Sequence, residues 1–283
     1  MRLLLIAATP MEFRFCTTAP SNLLGLRRFC GAGPLARGRP ARMQEEPDQG
    51  VRRGRGRPPH IFCGAEWHSA RRWGVPSGPG AVDFARSIRL GSHEVLAVAN
   101  GAGARRAASA LDAAAAVFHP AAVVSTGFCG ALDPQLRVAD VVVATSVAAA
   151  DRSYQALPVS STAAHHSGVV CSIDRVAQTA EEKRRLRAGG GMVVEMEAAG
   201  VAARAQASGL PFYCVKVVTD LADESMANDF NAALRADGHF DTMVILRATF
   251  RRPWARLPEL CRLRQRSVRA ASVLGDFIAD CRF

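Results

Sequence analysis

In residues 2–8, RLLLIAA, an unbroken apolar run follows Arg2, and Thr9-Pro10 closes it. Six apolar residues in a row before a turn predict a strand buried on both faces. The same pattern recurs in EVLAVAN (94–100), AAVVSTG (121–127), DVVVATSVA (140–148), GVVCSI (168–173) and PFYCVKVVTD (211–220). Each is rich in β-branched residues and poor in charge, as central strands are. Between them the period changes. Residues 103–118 are alanine-rich and end at His119-Pro120, which predicts a helix stopped before the proline. Thr179 with Glu182 three residues on reads as a capping box opening a helix over 179–188. Residues 195–209 predict a helix ending at Gly209. In 265–281, Val268, Ala271, Leu274, Phe277, Ile278 and Cys281 share one face, which predicts a packed terminal helix. Residues 223–264 are less regular, and no internal repeat is present. Strands alternating with helices predict an α/β domain with a largely parallel sheet.

Residues 14–80 break this order. Those 67 residues hold 11 Gly, 8 Pro and 12 Arg against 4 acids, with no apolar periodicity. The composition predicts an irregular low-complexity insertion. The domain is then 1–13 joined to 81–283. The insertion also supplies +8 of the net charge of +11, so basicity says little about the core. Only Lys183 and Lys216 are lysines; the other cations are arginines. Eight cysteines lack regular spacing, which points to reduced thiols and a cytoplasmic protein rather than a secreted disulfide scaffold. The N-terminal apolar run is too short for a signal peptide core followed by a cleavage site, and no run reaches the ~18 residues of a membrane span.

Two further features have bland readings. RRGRGRP (52–58) is like the Arg-Gly-Arg-Pro core of a minor-groove arm, but a solvated low-complexity run accounts for it, so nucleic acid is not the expected partner. Cys30, His60, Cys63 and His68 match no zinc spacing, and neither metal nor cofactor is expected.

Three acids stand at strand ends or helix starts. Glu12 follows the first strand, Glu197 opens the helix after VVEM, and Asp220 ends the strand 211–219. In an open α/β sheet such ends converge on a crevice where ligands bind. A first-turn acid also complements the helix dipole, which is the competing reading for each acid singly. The turn Asn100-Gly101-Ala102-Gly103 joins a strand to a helix. Its amides suit an anion or a water, or make a plain tight turn. The third glycine of a dinucleotide fingerprint is missing.

Together these stretches resemble the nucleoside phosphorylase and nucleosidase superfamily. STGFCGALDPQLRVADVVVAT is similar to its TG-x-x-GGL-x-P-x-L-x-VGDVVV block. VVEMEAAGVA followed by PFYCVKVVTDLAD resembles VEMEAAAVA … PF-x-x-x-R-x-x-SD-x-AD, IAATPME its first strand and acidic loop, and CSID (171–174) its segment before the purine pocket. The likeness covers 1–13 and 81–224. Phe128, Cys129, Ala131 and Thr219 depart from the pattern.

The resemblance implies a three-layer αβα fold with a central mixed sheet, usually homo-oligomeric, that cleaves the N-glycosidic bond of an adenosine-type purine nucleoside with or without a 5′ substituent. It implies that Asp220 protonates the leaving purine and that Glu197 binds the ribose hydroxyls, with Met196 packed on the sugar. Val176 and Phe128 would lie in the base pocket, and Gly101 and Gly103 would border the substrate. Glu12 would activate water, as in 5′-methylthioadenosine/S-adenosylhomocysteine nucleosidases and futalosine hydrolases. Phosphorolysis is the alternative, with Arg105 and Arg106 just after the glycine turn where a phosphate pocket could form, and the resemblance extends to hopanoid-associated phosphorylases; Glu12 favours hydrolysis.

Overall fold

In a computed structural model, the residues described are 1–16, 68–69, 82–90 and 93–283. Most of the 14–80 segment, with RRGRGRP, Cys30, His60 and Cys63, lies outside them. His68–Ser69, within that segment, form a two-residue strand, β2.

Strand β1 (Arg2–Ala7) shows how one sequence pattern builds three layers. Successive side chains of a strand point to opposite faces. Leu4 and Ile6 fall into one core with Leu111 and Phe118 of α1 (Ala104–Phe118) and Val201 of α3 (Ala198–Ala207). Leu3 and Leu5 fall into the other, with Leu274, Phe277 and Ile278 of α6 (Pro253–Asp280). An unbroken apolar strand is therefore a strand with helices on both sides.

The sheet is mixed. β1 lies between β4 (His93–Ala99) and β5 (Ala122–Ala131), parallel to both. β5 runs parallel to β10 (Phe212–Asp220), and β10 is antiparallel to β6 (Val141–Ala149). β6 pairs with β8 (His166–Ser172), β8 with β9 (Val193–Glu195), and β9 returns to β5. Those five pairings close a ring, β5-β10-β6-β8-β9. At its rim the ends of β5, β9 and β10 meet. β3 (Phe84–Leu90) extends the other edge of the sheet, antiparallel to β4 and paired with β2. β7 (Arg152–Gln155) adds a hairpin to β6.

The observed elements differ from the sequence expectation in four places. β3 was not expected, because Arg86 and Arg89 interrupt its apolar positions, nor was the mostly exposed β7. The helix expected over 195–209 begins at Ala198, since Glu195 is spent as the last residue of β9. The region 223–264 contains α4 (Phe230–Ala233), α5 (Thr242–Arg251) and the first twelve residues of α6. α6 runs on through Pro258 at the loss of a backbone bond. Next to it Glu259 is buried and accepts from the amides of Ala227 at 2.7 Å and Asn228 at 2.8 Å, which ties the helix to the preceding loop. The cap of α2 (Ala180–Ala188) is half a capping box. Thr179 Oγ1 accepts from the Glu182 amide at 3.1 Å, but Glu182 turns to Arg175 and the Gln178 amide.

Candidate active site

A cavity of about 300 Å³ opens at the rim of the strand ring. Glu12, Phe128, Val176, Met196, Glu197 and Asp220 all line it, together with Thr9, Glu195 and Thr219. Six of the eight residues expected from sequence are thus brought to one place.

Glu12 sits in a short 3-10 helix (Pro10–Cys16) directly after β1. Its Oε2 accepts from the Thr9 amide at 2.6 Å and its Oε1 from the Phe128 amide at 2.9 Å. Both donors are backbone N–H groups, which an ionised carboxylate satisfies best. Burial pushes the Glu12 pKa above the ordinary range, against those hydrogen bonds and the Lys216 charge. Gly127 has φ 132°, and a Cβ there would lie 2.4 Å from Glu12 Oε1. The glycine of the STG turn is therefore what lets the carboxylate lie against β5.

Asp220 ends β10 beside Gly130, where a Cβ would stand 2.8 Å from Asp220 Oδ2. Lys183 Nζ, fully buried, donates to that oxygen at 2.6 Å and to the Leu221 carbonyl at 2.6 Å. The Thr219 hydroxyl lies 3.1 Å from Oδ1. Burial raises the Asp220 pKa; the Lys183 ammonium and the Thr219 hydroxyl oppose it without cancelling it.

The VEME stretch divides its acids between two tasks. Glu195 is structural. It accepts from the amides of Glu197 at 3.0 Å and Ala198 at 2.9 Å, so it caps α3, and it pairs with the buried Lys216 Nζ at 2.8 Å. Burial alone would lower the Lys216 pKa, but the Glu195 charge leads the effects that hold it raised. Glu197 is left facing the cavity. It makes no cap bond to its own helix, so the helix-dipole reading does not describe it. Its Oε1 accepts from the Gly103 amide at 3.0 Å. Burial, reinforced by the Glu195 charge, pushes its pKa up to about 8, while Lys216 acts in the other direction.

Gly101 and Gly103 enter differently from the anion cradle read for their turn. The Gly101 amide donates to the Ala8 carbonyl at 2.9 Å, that of Ala102 to Gly238 at 2.8 Å, and that of Gly103 to Glu197. All three serve the fold or position a site carboxylate. Neither glycine lines the main cavity; Gly103, Arg105 and Arg106 line an adjoining one of about 600 Å³. Arg106 is engaged with the Asn100 backbone carbonyl and faces Asp83 at 3.7 Å. The Val176 backbone is held at both ends by Asn231, its amide at 2.8 Å and its carbonyl at 2.9 Å.

Sequence reading missed Lys183, Lys216 and Asn231. One signal was available, the rarity of lysine: only these two occur in the chain, and both lie buried, each against a carboxylate of the cavity wall. Lys216 also stands where the quoted family pattern has arginine. Among the described residues, no cluster of three or more His, Cys, Asp or Glu is arranged to hold a metal ion, and no helix is long and apolar enough to cross a membrane.

A family model described as the Phosphorylase superfamily matches residues 68–163 and 148–245, more than half of the chain. The chain belongs to this superfamily. The 5′-methylthioadenosine/S-adenosylhomocysteine nucleosidase of Staphylococcus saprophyticus is 29% identical over 175 residues, covering 52% of this chain and 77% of that protein. The Staphylococcus aureus enzyme of the same name is 26% identical over 174 residues, with 51% and 76% covered. Among solved structures, the Neisseria meningitidis nucleosidase of this name, in complex with methylthio-immucillin-A, superposes with a TM-score of 0.59 at 16% identity, covering 99% of this chain and 97% of that one. The native futalosine hydrolase of Helicobacter pylori gives 0.59 at 13%, covering 99% and 96%. These likenesses establish the three-layer αβα fold with its mixed sheet. Membership makes the chain an enzyme of the nucleosidase and phosphorylase class. The matched region begins at residue 68, inside the Arg/Gly/Pro-rich segment.

The raised acids make a stability prediction. A carboxyl that holds its proton in the folded state and releases it when unfolded stabilises the fold fully below the unfolded pKa. That stability is lost as pH rises through the folded value. For Glu197 the window runs from 4.5 to about 8, and Glu12 and Asp220 shift in the same direction. Thermal midpoints are expected to fall between pH 5 and pH 8, by roughly 2–4 °C for each kcal/mol lost. Glu197→Gln should flatten the profile. Melting curves across that range check it, and a profile as steep in the variant as in the native chain would rule Glu197 out as its source.

Proposed function

We propose that this enzyme hydrolyses the N-glycosidic bond of an adenosine-type purine nucleoside. The observation that carries the reading is the convergence of Glu12, Glu197 and Asp220, all buried, on one cavity. Their partners differ: Glu12 accepts from two backbone amides, Glu197 from the Gly103 amide, and Asp220 from Lys183. The named activity of the staphylococcal relatives supports the same reaction class.

In the proposed mechanism, water attacks the anomeric carbon as the bond to the base nitrogen breaks. Glu12 takes a proton from the water. Two backbone donors orient its carboxylate, and its raised pKa makes it a stronger base. Asp220, whose pKa burial raises, gives a proton to the departing purine so that it leaves neutral. Glu197 accepts hydrogen bonds from the ribose hydroxyls and lies close to the charge developing on the sugar. Met196 packs on the sugar, and Phe128 and Val176 bound the base.

Hydrolysis is preferred over phosphorolysis because the amides of the Gly101–Gly103 turn are engaged within the protein, and Arg106 is held by Asn100 and Asp83. Phosphate would need free donors there. The test is incubation of the purified chain with a panel of purine nucleosides, including 5′-alkylthio derivatives, with and without phosphate. Free base and free pentose in phosphate-free buffer are expected. Ribose-1-phosphate formed only when phosphate is supplied would replace this reading with phosphorolysis.

A further inference from the structure

Helices α5 and α6 carry a surface unlike the rest of the described molecule. Phe250 is 74% exposed, Trp254 80% and Met243 56%, and Val244 and Leu257 are exposed beside them. On α5, Met243, Arg247 and Phe250 follow helical spacing along the outer face. On α6, Trp254, Leu257, Arg264 and Val268 do the same. The inner faces are different: Thr249 hydrogen-bonds Asn228 at 3.2 Å, and Glu259 is buried.

The charge around these apolar groups has one sign. Between Thr242 and Arg269 there are eight arginines, and the only acid is the buried Glu259. Arg256 is tied to the Ala227 and Ala248 carbonyls, and Arg266 to Glu224 at 2.7 Å. Arg247, Arg251, Arg252, Arg262, Arg264 and Arg269 are exposed and in no ion pair with a described residue.

We propose that the outer face of α5 and the N-terminal half of α6 is a docking surface for an anionic lipid bilayer. A row of aromatic and aliphatic side chains within a field of arginines is what an interfacial helix presents to headgroups. The rings enter the boundary while the guanidinium groups meet the phosphates. A second copy of the chain does not fit. A two-fold contact sets the patch on itself and opposes arginine to arginine. The basic 14–80 segment has the wrong charge to cover it. Single-stranded nucleic acid would use the arginines and stack on Phe250 and Trp254, but it leaves Met243, Val244 and Leu257 unused. Leu263 and Ser267, on the same helix, line the catalytic cavity, so docking would hold that cavity close to the bilayer. The inference does not depend on which bond the enzyme cleaves.

The test is co-sedimentation of the full chain with vesicles of phosphatidylcholine alone and of phosphatidylcholine with phosphatidylglycerol, at low and physiological salt. Binding to the anionic vesicles is expected, weakening as salt rises. The double variant Phe250→Ser/Trp254→Ser should bind roughly tenfold or more weakly, since two buried rings are removed. Arg247→Gln/Arg251→Gln should weaken binding to anionic vesicles several-fold. Turnover of a soluble nucleoside and the thermal midpoint should stay at native values in both. Three outcomes would overturn the proposal. One is no vesicle binding by the native chain. Another is vesicle binding that both variants retain, which would place it on the 14–80 segment. The third is a patch whose substitution abolishes binding of single-stranded RNA or self-association and leaves vesicle binding unchanged.

Discussion

Asp220→Asn is expected to lose about 10²–10⁴-fold in turnover on a purine nucleoside, the usual contribution of a positioned general acid. Asparagine keeps the size and the Thr219 contact but has no proton to give. The substitution also touches stability. Lys183 is fully buried and donates to Asp220 at 2.6 Å, and removing the charge leaves an ammonium with only neutral acceptors, the asparagine amide oxygen and the Leu221 and Glu224 carbonyls. Breaking a buried pair from one side typically costs about 3–5 kcal/mol, and those carbonyls offset part of it. The thermal midpoint should therefore drop along with activity. The two effects separate in the double variant Asp220→Asn/Lys183→Met, which removes the orphaned charge. Stability should recover and activity should not. A single variant that turns over at nearly the native rate, assayed below its midpoint, would take Asp220 out of the mechanism.

The pair also shows where sequence reading reaches its limit. The meeting of Glu12, Glu197 and Asp220 at one cavity was legible because strand ends can be located from apolar runs, and such ends converge in an open sheet. The motif blocks pointed to the superfamily. Lys183 was not legible: within TAEEKRRLRA it looks like one more charge on a solvated helix face. Its side chain is buried where it reaches Asp220 at the end of β10 and the Leu221 carbonyl beyond it, a tertiary fact that no local pattern carries. Lys216 was hidden for the opposite reason. A single charge in PFYCVKVVTD reads as a tolerated exception in a central strand, whereas it is the counter-ion of Glu195. Glu195 itself is held on two sides. It caps α3, and its partner is lysine.

The αβα layering was legible for a simple reason. Leu3 and Leu5 against Leu4 and Ile6 require apolar cover on both faces of β1, and only flanking helices supply it. The α5–α6 region was not, because its helices are held by polar ties from Asn228, Thr249 and Glu259 rather than by an apolar stripe. Its outward residues are apolar and basic, the reverse of the pattern by which a surface helix is found.

Glu12→Gln chooses between water and phosphate as nucleophile. In the native chain both carboxylate oxygens accept from backbone N–H groups, of Thr9 at 2.6 Å and Phe128 at 2.9 Å. Glutamine fills the same space but can satisfy only one of them. Its NH₂ group must oppose the other donor, and it cannot take a proton from water. Hydrolysis should fall by about 10²–10⁴-fold. The thermal midpoint should change far less than in Asp220→Asn, because no buried counter-ion is stranded. Phosphate is already an anion and needs no base to attack, so a phosphorolytic enzyme should keep most of its rate. The measurement is product analysis of native and variant chains, each with and without phosphate. Loss of free pentose in the variant under both conditions is the expected result. A variant that still releases purine, and does so only when phosphate is present, would show that Glu12 is not the water base and that the cavity serves phosphorolysis.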